Sequence, residues 1–308
     1  MEKIGGARMK KRDLGKSGLY VSEIGLGCMS LPNDLDEAKN IIDAAIHAGI
    51  NYFDTADLYD SGRNEELVGH ALKGRRADVI LATKAGNKMN PDGTSWTWDA
   101  SKAHIMEAVK QSLLRLETDY IDVYQLHGGV MEDNVEETID AFESLKKDGL
   151  IRQYGISSIR PTVIKRFLDN SSAVSVMMQY SLLDRRPEEW FPMIQEAGAS
   201  VITRGTIAKG FLTAEGLARS EQANGFVDYD AAELTRTVQE LSEQTTDLHA
   251  AAIAYVLHDQ TVASALVGAR TTKQLLDSVV AYDKMVTDEE IARLRSIVQL
   301  HTYKEHRL

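Results

Sequence analysis

The chain is poor in several things that would narrow its function. Its 308 residues include one cysteine, five prolines and no long hydrophobic run. A single thiol, Cys28, cannot close an internal disulfide or contribute to a multi-cysteine zinc site. No stretch nears the roughly 18 apolar residues of a membrane span, and "MEKIGGARMKKRDLGKSG" at the start lacks an apolar signal core. Basic charge is in deficit. Lys and Arg number 35 against 46 Asp and Glu, a net charge of −11, which argues against a nucleic-acid surface and leaves room only for a local phosphate-binding patch. The acidic excess is spread along the chain and reads as solvated helix faces. There is no low-complexity segment and no proline-rich linker. These absences lead to the expectation of a cytoplasmic protein with residues 12–308 forming one domain. Residues 1–11 are expected to be a disordered tail or a start-site extension, with Met9 an alternative beginning.

What is present is an alternation. "RDLGKSGLYVS" has turn residues between short extended pieces and predicts a small hairpin. Then "EIGLGCMS" precedes the helical pattern "DEAKNIIDAAIHAG", whose apolar residues Ala38, Ile41, Ile42, Ala45 and Ile46 recur at helical spacing up to Gly49. "INYFDT", "DVILATK", "IDVYQLH", "IRQYGIS", "VSVMMQYS", "SVITRG" and "VASALVGA" follow as strand candidates, each trailed by a helical segment, and "DEEIARLRSIVQL" adds a terminal helix. Strands separated by helices pair in parallel through right-handed crossovers. Eight such units without a composition break predict an α/β protein of the closed (β/α)₈ TIM-barrel class, with an N-terminal β-hairpin and an extra C-terminal helix; an open doubly wound sheet is the alternative. Two connections are long, "AGNKMNPDGTSWTWDAS" after the third strand and Gly210 to about Tyr229 after the seventh. Both leave the strand ends where barrels build active sites. Trp96 and Trp98 either pack the first loop on itself or wall a substrate pocket. Cys28 is either a packed core residue or a thiol beside a pocket.

The polar residues at the ends of three successive strands carry the chemistry. Asp54 ends the second in "NYFDTADLY", Lys84 the third in "VILATK" and His127 the fourth in "DVYQLH", with Tyr59 just beyond the second. Neighbouring strands lie about 4.8 Å apart, so these groups meet at one rim. Lysine and aspartate buried together can hold each other charged. An ammonium facing a phenol favours the phenolate, which makes Tyr59 a usable proton donor near neutral pH. His127 can donate a second hydrogen bond to the same substrate oxygen. Such a set suits protonation of a carbonyl oxygen as it becomes an alkoxide. None of the four is a hydride source, so a cofactor must supply one. "GLGCMS" lacks the third glycine of a dinucleotide-binding turn, so that cofactor must bind without a Rossmann motif.

At these residues the chain resembles the aldo-keto reductase family, from Lys11 nearly to its end. "GINYFDTADLY", "NEELVGHAL", "ILATK" and "DYIDVYQLH" are similar to the family segments around its Asp, Tyr, Lys and His. The resemblance implies that Tyr59 is the proton donor, that Lys84 and Asp54 tune it and that His127 orients the carbonyl, with cofactor bound first. "GISSIR" is similar to a Gly-Val-Ser-Asn segment, which places Ser157 on the nicotinamide carboxamide; Ser158 stands where Asn is usual. Gln179 matches a Gln with the same duty, while its neighbours Met177 and Met178 read as barrel core. Arg204 replaces a Tyr whose ring stacks on the nicotinamide in many members, and a guanidinium can also stack on a flat ring. The following segment implicates Gly205, Lys209, Gly210 and Leu212 in covering the pyrophosphate. "VGARTTKQLLDSV" resembles the stretch that holds an adenosine 2′-phosphate, implicating Gly268, Arg270, Thr271, Gln274 and Asp277; Ser278 replaces the usual Asn. Arg270 and Lys273 in an acidic protein suit a phosphate dianion, so the expected cofactor is NADPH rather than NADH.

The resemblance therefore implies an NADPH-dependent reductase of aldehydes or ketones, aromatic or aliphatic, acting as a monomer or homo-oligomer without nucleic-acid or membrane partners. Two rivals remain open. Lys84 could form a Schiff base in a lyase or aldolase, or the chain could be a nicotinamide-binding regulatory subunit with little turnover, as some relatives associate with channels.

Overall fold

The computed structural model describes residues 9–90 and 95–307. Eight parallel strands close into a barrel. In chain order they are β3 (Ile24–Gly27), β4 (Tyr52–Asp54), β5 (Ile80–Ala85), β8 (Ile121–His127), β9 (Ile151–Ser157), β10 (Ser175–Gln179), β11 (Ser200–Arg204) and β12 (Val262–Val267), each pairing with the next and β12 returning to β3. Before them β1 (Lys11–Asp13) and β2 (Tyr20–Ser22) form an antiparallel hairpin. Leu14 and Val21 from the hairpin join Tyr52, Ile80, Ala82, Val123 and Met177 in one buried cluster. The hairpin thus plugs the barrel at the strand N-termini. The expected tail needs correcting at its inner edge. Residues 1–8 lie outside the described residues, but Met9 is buried and Lys11 already belongs to β1.

The helices are α1 (Leu35–His47), α2 (Arg63–Ala71), α3 (Lys102–Arg115), α4 (Val135–Lys147), α5 (Pro161–Asp169), α6 (Phe191–Glu196), α7 (Gly216–Ser220), α8 (Ala231–Glu243), α9 (Leu248–His258), α10 (Thr272–Tyr282) and α11 (Asp288–Ile297). Most begin where a short polar side chain satisfies a free backbone N–H. Asp34 accepts from Glu37 N, Asn134 from Glu137 N and Thr271 from Gln274 N. At α8 the cap is reciprocal, since Asp230 accepts from Glu233 N while the Glu233 side chain accepts from Asp230 N. The larger apolar cluster lies between barrel and helices. No helix among the described residues is long and apolar enough to cross a membrane.

The two long connections carry structure of their own. After β5 the chain forms a second antiparallel pair, β6 (Asn87–Met89) with β7 (Trp96–Trp98); residues 91–94 of that loop lie outside the described residues. After β11 a single helical turn, Ala208–Gly210, leads to α7 and then to an antiparallel bridge between Phe226 and Tyr229.

Strand alternation sets the site. Successive side chains point to opposite faces, so along β4 Tyr52 faces the barrel interior, Phe53 the helices and Asp54 the interior again. The same rule puts Ala82 and Lys84 inward on β5, and Val123, Gln125 and His127 inward on β8. Register stacks them, with Asp54 beside Ala82, Lys84 beside Gln125 and His127 beside Ser157. Met177 faces inward as well, whereas Met178 packs against the helices.

Candidate active site

Asp54, Lys84, Tyr59 and His127 converge at the C-terminal mouth of the barrel. Lys84 is fully buried, and its ammonium donates to Asp54 Oδ1 at 2.5 Å, to the Thr55 carbonyl at 2.7 Å and to the Tyr59 hydroxyl oxygen at 3.2 Å. All three ammonium protons are therefore committed. The other oxygen of Asp54 accepts from Gln125 Nε2 at 3.0 Å. Burial works against charge on both members of the pair, but Asp54 and then Tyr59 outweigh it for Lys84 and hold its ammonium above the usual lysine range. Burial pushes the Asp54 carboxyl up, opposed by Lys84 and by the hydrogen bonds from Lys84 and Gln125. With both Asp54 oxygens accepting N–H groups, the geometry holds the charge-separated pair.

His127 stands edge-on to the Tyr59 ring, 6.1 Å between centroids. Burial first, then the positive charges of Lys84 and Arg204, push its pKa down to about 3. It is a neutral imidazole at any working pH and keeps one N–H to donate. Its Nδ1 is buried and has no partner among the described residues.

Tyr59 sits at the start of a constrained turn. Asp60 and Ser61 adopt φ of 47° and 54°, a region costly for residues with a Cβ. Gly62 follows at φ 91°, and a Cβ there would lie 2.8 Å from Arg115 Cδ. Arg115 is itself held by the buried Glu65 at 2.7 Å. The turn is thus clamped between α2 and α3, which fixes where the phenol points.

These residues open into a cleft of about 1430 Å³ whose lining runs from Tyr59, His127 and Trp98 past Ser157, Ser158, Gln179 and Arg204 to Gly268, Arg270, Gln274 and Asp277. That volume exceeds an ordinary small-ligand pocket and suits an extended ligand beside a substrate. Most residues expected to bind cofactor line it, including Gly205, Lys209 and Gly210. Two do not. Leu212 is fully buried in the core between barrel and helices, two residues beyond the turn at Ala208–Gly210. Thr271 caps α10 through Gln274 N instead of lining the cleft. Gln179 is engaged at both ends of its amide, accepting from Arg204 at 2.8 Å and donating to Asp184 at 2.9 Å. At the far end Lys273 pairs with Asp277 at 2.7 Å, while Arg270 has no carboxylate partner among the described residues. Cys28 is buried in the core and burial raises its pKa, so it is packing rather than a reactive thiol.

Sequence reasoning missed Gln125, although it shares the inward face of β8 with His127 two residues on. It also missed Met29, Ser30, Arg160 and His249 on the cleft wall.

A barrel with this set of strand-end groups defines a class. The chain belongs to the aldo/keto reductase family, whose model matches residues 23–299. Members are oxidoreductases that act on small carbonyl substrates with nicotinamide cofactors. Among proteins similar to it, the uncharacterized oxidoreductase YqkF of Bacillus subtilis is 52% identical over 97% of this chain and 100% of its own length. The holo form of aldo-keto reductase AKR11C1 from Bacillus halodurans is 50% identical, covers 98% of this chain and all of that one, and superposes with a TM-score of 0.92. A probable voltage-gated potassium channel subunit beta from Oryza sativa is 30% identical over 94% of this chain and 97% of its own.

Proposed function

We propose that the protein reduces aldehydes or ketones to alcohols with NADPH, and that Tyr59 delivers the proton. The observation that carries this reading is the single buried ammonium of Lys84, which bridges Asp54 and the Tyr59 hydroxyl. His127 donates a hydrogen bond to the substrate oxygen and orients it. As negative charge grows on that oxygen, Tyr59 transfers its proton to it. The Lys84 ammonium, 3.2 Å away, stabilises the phenolate left behind, and Asp54 with Gln125 keeps the ammonium in place. The cofactor, when bound, supplies the hydride. Ser157, Ser158 and Gln179 would hold its nicotinamide end and Arg270 its 2′-phosphate. An unpaired Arg270 and the length of the cleft support that fit.

Lys84 argues against the Schiff-base reading. An amine held as an ammonium by three acceptors has no lone pair to attack a carbonyl. The channel-subunit relative keeps a regulatory role in view, and turnover separates the two. The single buried thiol supports a cytoplasmic setting.

The test is NADPH consumption with 4-nitrobenzaldehyde. Turnover should fall by about 10² or more in Tyr59→Phe, with cofactor binding retained by fluorescence titration. A variant within a few-fold of the wild type would refute Tyr59 as the donor. A wild type that binds NADPH and reduces no aldehyde would favour the regulatory role.

A further inference from the structure

The wall of the cleft carries an arginine that the mechanism does not use. Arg160 precedes α5, and its Nη1 donates to the Gly129 carbonyl at 2.9 Å, two residues beyond His127. Its guanidinium carbon lies 5.1 Å from the centre of the Trp98 ring. Trp98 in turn packs onto the same segment. Gly128 has φ of 99°, and a Cβ there would fall 1.9 Å from the indole. The glycine therefore makes room for the tryptophan, the tryptophan supports the guanidinium, and the Gly129 carbonyl sets its rotation. This is a positioned cation, not a surface arginine free to move.

It is also unspent. In a chain with 46 acidic against 35 basic side chains, most of the other sheltered arginines are paired, and half-buried Arg166 is instead spent on the Met131 carbonyl. Arg12, Arg76, Arg115, Arg185 and Arg186 each hold a carboxylate at 2.7–3.1 Å. Arg160 makes no ion pair among the described residues, and one of its five N–H groups is accounted for there. The remainder border a cleft that also holds Tyr59 and His127. A planar fork of donors in such a place matches a carboxylate, which it can grip with two parallel hydrogen bonds.

We propose that Arg160 is a specificity residue and that the preferred substrates are aldehydes or ketones bearing a carboxylate. Trp98 forms the apolar wall beside that carboxylate. This rests on the reductase reading and narrows its substrate class.

A nitro group has the shape of a carboxylate without its net charge, so paired aldehydes isolate the charge. The kcat/KM values of 3- and 4-carboxybenzaldehyde are compared with those of 3- and 4-nitrobenzaldehyde, in wild type, Arg160→Leu and Arg160→Lys. The carboxylate-to-nitro ratio should fall about ten- to a hundred-fold in Arg160→Leu at one ring position or both, the worth of a charged hydrogen-bonding partner. Arg160→Lys, which keeps the charge without the fork, should recover part of it. A merely structural arginine would depress both members of each pair and leave the ratio unchanged. A ratio within two-fold of wild type at both ring positions, with the nitro compounds still reduced, overturns the proposal and leaves the reductase standing. Loss of turnover on all four aldehydes in the wild type overturns both.

Discussion

Replacing Lys84 by Met keeps an unbranched side chain one atom shorter and removes its charge. Three contacts of the ammonium disappear together, to Asp54, the Thr55 carbonyl and Tyr59. The larger consequence falls on Asp54, which is 3% exposed and would be left with Gln125 as its one donor. Removing one member of a buried ion pair costs about 3–5 kcal/mol, because the survivor's charge is uncompensated. For a slope of about 3 kcal/mol per molar, that is a drop in the urea midpoint of about 1 M or more. The double variant Asp54→Asn/Lys84→Met removes both charges and should regain most of the loss. The deficit of Lys84→Met should also shrink as pH falls. Its unpaired Asp54 has a folded pKa raised above the unfolded one, so protonation favours the folded state and stability is lost as pH rises. Urea titrations followed by circular dichroism at pH 5 and pH 7.5 read both effects. Single and double variants should both lack turnover, which separates the stability role of the pair from its catalytic one. Equal midpoints for wild type and Lys84→Met, or a double variant no better than the single, would refute a charge-separated pair.

Arg270→Ala should weaken NADPH binding about ten- to a hundred-fold in a fluorescence titration and leave NADH almost unaffected, whereas Lys273→Ala should do less because Asp277 already neutralises Lys273. Equal losses for the two nucleotides would remove Arg270 from the 2′-phosphate. Asp57 is a second site of pH dependence: burial, then Glu65, push its pKa up to about 7 against the pull of Arg115, and its Oδ1 has no partner among the described residues. A carboxyl raised from about 4 to about 7 on folding contributes stability at low pH that is lost as pH rises through 7. Asp57→Asn should therefore gain thermal stability over the wild type at pH 8 and little or none at pH 4, and a difference independent of pH would refute the assignment.

The barrel was legible because each βα unit writes its own signal. Apolar runs of four to seven residues alternate with helical spacing. The meeting of Asp54, Tyr59, Lys84 and His127 was legible for a related reason. Three lie at the ends of consecutive strands, where alternation and register leave no freedom about which face they occupy. Gln125 went unread although its place on the inward face follows from that of His127 by the same logic. A segment likeness gives Leu212 its place along the chain and not the direction of its side chain, which lies in the core. Thr271 was placed on the ligand although its hydroxyl belongs to the cap of α10. The tail boundary failed at Met9 and Lys11 because a single edge strand of three residues is too short to stand out from the polar run before it.

Arg160 and Trp98 show why the proposed substrate wall was the least readable part. Their meeting joins the loop after β5, the glycines after β8 and the start of α5, three segments far apart in sequence with no common period. Pairing of such groups depends on loop paths, which neither propensity nor strand register dictates. Asp54, Lys84, Gln125 and His127, by contrast, are fixed by the barrel itself, and Lys84 cannot move without breaking three hydrogen bonds at once. On the proposed reading, labour is divided between a rigid rim that protonates an oxygen and a loop-built wall that selects which carbonyl compound presents one. Exchange of the β5–α3 loop should consequently alter the carboxylate-to-nitro ratio more than the dependence on Tyr59, since Trp98 travels with the loop while Asp54, Lys84, Gln125 and His127 stay on their strands.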